Sequence, residues 1–318
     1  HGCSRRQRQM CIRDRSIAGS DETVLTISLN VDGTYQFEQF KPLEQTNSED
    51  TVELSLPTTI VDYDQDTTSN IFNIAIVDGG NPVIENVAGL FIDEAGVEQG
   101  SQEGLVITTG TGSITTSVGS DILDHYELEP AEFNLGGELR SQGQVVELEF
   151  ASEANGIRTY EGFIELEGVR ITVFDVAIDV PALGEYQFSL YEQLDHTGVN
   201  EASLSFSLPV YAVDADGDRS SMTDGSNIPE AAQIIIQVQD DVPTIDSVGA
   251  LVVDEDDVLN IGSEQNDDAF VSGSFTTTEG SDGVVKYQVD ITADPVAGIT
   301  SQGEPVALNE TVNSDGSF

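Results

Sequence analysis

The residues best placed to do chemistry are aspartates set two apart in two loops. Asp62, Asp64 and Asp66 form one set, and Asp214, Asp216 and Asp218 form the other. In a strand, alternate side chains share a face at about 6–7 Å, and in a turn they converge. Converged carboxylates repel one another unless a cation sits among them. A hard cation with several oxygen ligands, Ca²⁺ above all, suits this chemistry. Gly217 allows a sharp turn. The spacing is not that of an EF-hand, which needs glycine sixth and glutamate twelfth. Counted from Asp214, those places hold Arg219 and Gly225. The plainer alternative is a solvated turn, because aspartate favours turns for its own reasons. Against it stand the recurrence of the pattern and the scarcity of cations, with only Arg219 nearby.

A second concentration of acids lies near two prolines. Asp240 and Asp241 precede Pro243, and Asp254, Glu255, Asp256 and Asp257 follow. The earlier counterpart has Asp78 before Pro82, then Asp93 and Glu94. Acids from two successive units placed this way would clamp Ca²⁺ and stiffen a joint between them.

Catalytic chemistry finds little support. Beyond His1 the histidines are His125 and His196. Lys286 stands near the place of His125 in an aligned repeat, so His125 reads as a lone surface histidine. No G-x-S-x-G, H-E-x-x-H or G-x-x-x-x-G-K-[ST] occurs. Gly110-Thr111-Gly112 lacks the third glycine of a dinucleotide loop. A carboxylate pair for glycoside hydrolysis is compatible with so acidic a chain, but nothing marks out a pair. The sequence predicts no enzyme.

The elements that must position these acids emerge from composition and repetition. The chain has 318 residues and a net charge of −47, with 11 Lys and Arg against 58 Asp and Glu. That balance argues against nucleic acid, whose phosphates need a basic surface, and against an anionic membrane surface. No apolar run approaches the ~20 residues of a spanning helix. With 38% hydrophobic residues, the composition is not that of a disordered chain.

Residues 1–15 differ from all that follows. They hold Arg5, Arg6, Arg8, Arg13, Arg15 and both cysteines, Cys3 and Cys11. They have no apolar region of a secretory signal. Gln9–Asp14 reads QMCIRD, which one codon choice turns into a transposon end used in sequencing libraries. We read this segment as non-native adaptor sequence and leave it out of fold reasoning. The rest is cysteine-free, which excludes disulfides and thiolate metal sites there and leaves bound metal as a substitute cross-link.

The chain repeats itself in order, at offsets of about 150–162 residues. Tyr35-Gln36-Phe37 returns as Tyr186-Gln187-Phe188, and SLPTTIVDYDQD (55–66) as SLPVYAVDADGD (207–218). FNIAIVDGGNPVIENV (72–87) returns as IIIQVQDDVPTIDSV (234–248), and AGLFIDEAG (88–96) as GALVVDEDD (249–257). GSITTSVGSD (112–121) matches GSFTTTEGSD (273–282) at seven of ten positions, and Ser141-Gln142-Gly143 returns as Ser301-Gln302-Gly303. The division is then the back of one unit at 16–82, a whole unit at 83–243 and the front of a third at 244–318. We expect a piece of a longer tandem array whose end units are incomplete, with open edges.

Alternating apolar and polar residues predict strands at Thr23–Leu29, Thr51–Leu56, Val145–Phe150, Thr159–Leu166, Val169–Ile178, Tyr186–Tyr191, Leu204–Leu208 and Ile234–Val238. Short strands at regular spacing, punctuated by Gly, Asn, Asp and Pro, predict an all-β fold of tandem antiparallel β-sandwich repeats.

The stretch YAVDADGDRSS…IIIQVQDDVPTIDSVGALVVDEDD resembles a tandem repeat of giant bacterial adhesins exported by type I secretion, often grouped with the RTX family. The likeness covers 16–318 and is most specific in the D-A-D-G-D-x-S loop, the D-D-x-P joint and the following V-D-E-D. It implies an extracellular Ig-like β-sandwich module on the bacterial cell surface, repeated many times to extend a binding tip. It implies Ca²⁺ at Asp214, Asp216, Asp218, Asp240, Asp241, Asp254 and Glu255, with neighbouring repeats of the same chain as partners. In the first unit Gln65 replaces the glycine and Gly79 interrupts the paired aspartates, which puts the site at Asp62, Asp64 and Asp66 in doubt. The glycine-rich nonapeptide Ca²⁺ roll of RTX proteins does not occur in this sequence. The expectation is therefore a structural spacer stiffened by Ca²⁺. The alternative is a lectin-like ligand-binding domain of the same kind of surface protein.

Overall fold

The computed structural model describes residues 11–16 (backbone only), 22–30, 32–43, 51–119, 121–179, 184–196, 203–221, 229–255, 271–288 and 296–307. Cys3, Asp256 and Asp257 lie outside the described residues. The chain is all-β, as its period-two patterning predicts; its helical turns among the described residues are short 3-10 segments.

In the first repeat, β1 (Cys11–Ser16), β2 (Thr23–Leu29) and β3 (Tyr35–Gln39) form one sheet. β4 (Thr51–Val61) and β5 (Thr67–Val77) form a long hairpin. Residues 83–243 carry β6 (Val83–Val87), β7 (Leu90–Asp93), β8 (Thr109–Ser117), β9 (Leu123–Leu128), β10 (Arg140–Ser141), β11 (Gln144–Val145), β12 (Glu147–Ala154), β13 (Ile157–Leu166), β14 (Val169–Asp179), β15 (Glu185–Leu190), β16 (Ser203–Asp214) and β17 (Ala232–Gln239). The third repeat contributes β18 (Thr244–Val248), β19 (Phe275–Thr278), β20 (Thr300–Ser301) and β21 (Glu304–Pro305).

Within 83–243 there are two main sheets, of order β12-β13-β14-β15-β8-β6 and β7-β17-β16-β9. Strands from both feed one buried cluster. Val173, Phe174, Val176 and Ile178 come from β14, and Tyr186, Phe188 and Leu190 from β15. Leu208 and Val210 come from β16, and Ile234, Ile236 and Val238 from β17. Apart from Val173, the extra residue at the irregularity opposite Gly162 and Phe163, their every-second-residue spacing is the pleat period read from the sequence. The Phe206 ring of the smaller sheet reaches the Phe174 ring of the larger at 5.7 Å between centroids.

One pair departs from the antiparallel expectation: β7 runs parallel to β17. β6 pairs with β8, and after Ala88-Gly89 the chain continues as β7 in the other sheet. A strand that changes sheets without reversing keeps its direction, and Gly89 makes the crossing close to the Ile235 carbonyl. Two-residue hairpins join three strands of the larger sheet. Asn155-Gly156 joins β12 to β13 and Glu167-Gly168 joins β13 to β14, all four with positive φ, as type I′ turns require.

The strands before and after 83–243 correspond to strands within it. β2 to β5 stand where the repeat alignment puts β14 to β17. β18 and β19 match β6 and β8, down to the same irregularity, between Ile84 and Asn86 in one pair and Ile245 and Ser247 in the other. β1, whose residues 11–15 the sequence reading set aside, pairs with β2 on the side where 83–243 places β13. An exposed strand edge offers unpaired N–H and C=O groups to whatever backbone is at hand.

Two glycines inside strands make room for aromatic rings across the ladder. Gly162 is paired with Phe174, and a Cβ there would meet the Phe174 ring at 2.3 Å. Gly112 does the same for Tyr186, at 2.4 Å. Phe174 is fully buried and has nowhere to go. Gly162→Ala is therefore predicted to destabilise the chain by about 1–3 kcal/mol through overpacking. A lower urea midpoint at unchanged slope is the expected observation; an unchanged midpoint would contradict it.

Candidate metal centre

β16 ends at Asp214, and the chain turns back over four residues. Asp214 N–H donates to the Asp218 carbonyl at 3.1 Å, Gly217 N–H to the Asp214 carbonyl at 3.3 Å, and Asp218 N–H to Asp214 Oδ1 at 2.8 Å. Gly217 takes φ 102°, as its type allows. The β4–β5 turn repeats this pattern. Asp62 N–H donates to the Asp66 carbonyl at 3.0 Å, Gln65 N–H to the Asp62 carbonyl at 3.4 Å, and Asp66 N–H to Asp62 Oδ1 at 2.8 Å. Gln65 adopts φ 76° in the glycine's place, so the turn survives the substitution that put it in doubt.

Both turns gather their carboxylates. Asp62, Asp64 and Asp66 each offer an oxygen, all within 4.8 Å of one another, and so do Asp214, Asp216 and Asp218. The first set is exposed. In the second set Asp214 and Asp218 are buried. Burial pushes the Asp214 carboxyl up to about 7, its hydrogen bond with Asp216 and the charges of Asp216 and Asp218 adding to the effect while the Asp218 N–H opposes it.

Asp216 belongs to a second group as well. Its carboxylate, that of Asp78 just past β5 and that of Asp121 between β8 and β9 also lie within 4.8 Å of one another. Asp216 Oδ1 is buried and has no hydrogen-bond partner. A buried carboxylate oxygen without a donor is costly, and an oxygen-seeking cation would relieve it. Oxygens alone, in close groups with few nitrogen donors, fit a hard cation.

The other joint is built from Asp240, Asp241 and a set of residues the sequence reading did not choose. Glu94 is fully buried behind Asp93, whose Oδ1 accepts the Ala95 N–H at 3.0 Å and caps a short 3-10 turn. Glu94 accepts from Ser281 Oγ at 2.8 Å and from Leu194 N–H at 3.2 Å, and lies 3.3 Å from His196 Nε2. Glu94, His196 and Asp240 each bring a ligand atom within 4.8 Å of the others. Asp241 turns to structural use: its oxygens accept from Ser101 N–H at 2.6 Å, Ser101 Oγ at 2.5 Å and Ser281 N–H at 3.1 Å. Asp282 is pushed up to about 6, by burial first and then by Glu94 and Asp240, with His196 opposing. Asp240 is raised by burial, and by Glu94 and Asp241 against His196. Asp254 and Glu255 are exposed and join none of these groups among the described residues.

The two joints use equivalent residues. Asp78 and Asp240 each follow the last strand of a repeat, and Asp121 and Asp282 each end a G-S-D tripeptide of the next. The tripeptide glycine presses on the linker in both: a Cβ on Gly119 would meet the Gly80 carbonyl at 1.8 Å, and one on Gly280 the Asp241 carbonyl at 1.9 Å. Recurrence of G-S-D was the available signal for Asp121 and Asp282. Glu94 was read as an acid of the earlier joint, and the structure brings it to the later one beside Asp240; His196 gave no comparable signal.

His125 is not alone. Its Nδ1 is 2.7 Å from Asp124 Oδ2 and its Nε2 is 3.5 Å from Glu127 Oε2. The His125 hydrogen bond and the nearby Arg219 hold Glu127 down to about 2, against its partial burial. Arg219 spends its charge on Glu127 at 2.6 Å and Glu129 at 2.8 Å, over the Tyr211 ring, so it ties the turn to β9 without neutralising it.

Comparison of the chain with protein families, characterised proteins and solved structures finds no match.

The raised aspartates predict a pH dependence. An acid whose folded pKa lies above its unfolded value, about 3.9, holds more protons folded than unfolded between the two. Without divalent cations, stability should therefore fall as pH rises toward 6–7, through the raised carboxyls of Asp214 and Asp282. Glu127 changes charge below that window. In EDTA the melting temperature should be lower at pH 7.5 than at pH 5; the reverse order would contradict the assignment.

Proposed function

We propose that the chain is a run of structural spacer repeats from a large secreted adhesin of the bacterial cell surface, its units cross-linked by Ca²⁺. The repeats are read as Ig-like sandwich modules, with boundaries near 82 and 243, whose role is mechanical rather than catalytic. The observation that carries this reading is the group of Asp78, Asp121 and Asp216 with its buried, donor-less Asp216 Oδ1, the equivalent aspartates Asp240 and Asp282 recurring in the sequence of the other joint. The likeness of the D-A-D-G-D and D-D-x-P segments to type I-secreted RTX adhesin repeats supports the same reading.

Asp214, Asp216 and Asp218 would hold one ion, and Asp78 and Asp121 would share Asp216 in holding another. Asp240 and Asp282, with Glu94, would do the same at the second joint. Bound Ca²⁺ supplies positive charge that turns mutual repulsion into a cross-link. Each site adds stability as RT ln(1 + [L]/Kd), about 2.7 kcal/mol at a hundredfold excess over Kd. Weak extracellular sites, with Kd of about 10⁻⁴–10⁻³ M, are loaded outside the cell. In low cytosolic Ca²⁺ the same carboxylates repel, which keeps the chain loose for export.

The test is a thermal melt of the 318-residue chain in EDTA, 5 mM MgCl₂ and ~5 mM CaCl₂. A Ca²⁺-specific rise of several degrees is expected, and Asp216→Asn should remove most of it while leaving the melt in EDTA unchanged or higher. Equal melting temperatures in EDTA and CaCl₂ would leave the acids as solvated surface charge and end the proposal.

A further inference from the structure

Away from the joints, β16 is covered unequally. Along Ser203–Val210 it pairs with β17 on one side. On the other side β9 reaches only Val210–Asp214, because the chain turns out of the strand into the 3-10 segment Pro130–Glu132. The last bond across this edge runs from Glu129 N–H to the Pro209 carbonyl, 3.0 Å. Strand groups alternate in direction every residue. The backbone N–H and C=O of Ser207, Ser205 and Ser203 therefore face the same open side as the Pro209 carbonyl. Among the described residues no backbone or side-chain group bonds to them there.

A groove of about 620 Å³ runs along this edge. Its apolar lining includes Leu204 and Phe206 of β16 with Phe133 and Leu139 of the facing loop. The Phe206 ring continues into the core, 5.7 Å from Phe174 and 6.0 Å from Phe188. The charged residues lining the groove are Glu132 and Glu138, and no Lys or Arg lines it. Glu138 is ion-paired with Arg140 at its rim. Edge strands usually carry a charge that blocks pairing. The first repeat has Glu53 at the position of Ser205, whereas the second has serine.

We propose that this edge is a strand-addition site for an extended segment of another protein that alternates apolar with basic residues. Backbone pairing with Ser203, Ser205 and Ser207 would supply the ladder. Alternate apolar side chains would fill the groove over Leu204 and Phe206, and lysine or arginine would meet Glu132 and Glu138. A second copy of this chain is disfavoured as the occupant by its net charge of −47.

The probe is a fluorescein-labelled peptide, Lys-Val-Thr-Ile-Lys-Val-Thr, titrated into the full chain by anisotropy, with its Glu-for-Lys counterpart as control. Saturable binding below 1 mM is expected, at least tenfold weaker for the Glu peptide. Ser205→Pro removes the edge N–H and should weaken binding at least tenfold; Glu138→Gln, which leaves the backbone untouched, should weaken it severalfold. Hydrogen exchange should show the Ser205 and Ser207 amides slowed when the peptide is bound. Since a cationic peptide is drawn to any acidic surface, binding that Ser205→Pro leaves unchanged in a normally melting variant would overturn the proposal. So would equal binding of both peptides, unaltered exchange at Ser205 and Ser207, or no binding at 1 mM.

Discussion

Carboxylates held close together where water is scarce are the constraint on which this structure turns. The chain has too few cations to pair them, and it spends those it has elsewhere: Arg219, one residue past the Asp214–Asp218 turn, is engaged by Glu127 and Glu129. The turns are instead held by backbone N–H groups reaching Asp62 and Asp214. Those donors fix the turns without neutralising their carboxylates. Glu94 meets the same difficulty differently, with Ser281, Leu194 and His196 around a fully buried carboxylate. Donors fixed by the fold lower the cost of burying charge but do not cancel it.

The larger strands were legible because burial on one face imposes period two, and β2, β13, β14, β16 and β17 fall where alternation puts them. β8 was not legible. Its TGTGSITTS run looks like a loop, and only the structure explains the glycine: Gly112 yields space to the Tyr186 ring across the ladder. Propensity loses there to a packing contact between strands far apart in sequence. The parallel entry of β7 was equally hidden, since direction is decided by the sheet the preceding strand belongs to. β1 shows the converse. Composition set residues 11–15 aside, yet they pair with the edge of β2.

The candidate site was half legible. Two aspartate triplets stood out because alternation recurred at one place in two repeats, and their turn geometry is common to both. The joints were harder. Asp240 and Asp241 were visible as a pair, but the fold splits their roles: Asp240 faces Glu94 and His196, whereas Asp241 is consumed by Ser101 and Ser281. Asp254 and Glu255 carry the same motif as Asp93 and Glu94. Glu94 is buried because Leu194, His196 and Ser281 close over it, and no described residues play that part for Glu255. A motif read along the chain cannot report what arrives from 100 residues away.

The two linkers are not equal. Asp78-Gly79-Gly80-Asn81-Pro82 is one residue longer than Asp240-Asp241-Val242-Pro243 and carries two glycines, with Asn81 Nδ2 bonded to the Arg219 carbonyl at 2.9 Å. In the shorter linker the Asp241 carboxylate alone accepts three hydrogen bonds. Elements joined in series bear the same pulling force, so extension begins at the most compliant one. A chain stretched along its length would lengthen first at Gly79-Gly80, before the sheets on either side of it yield.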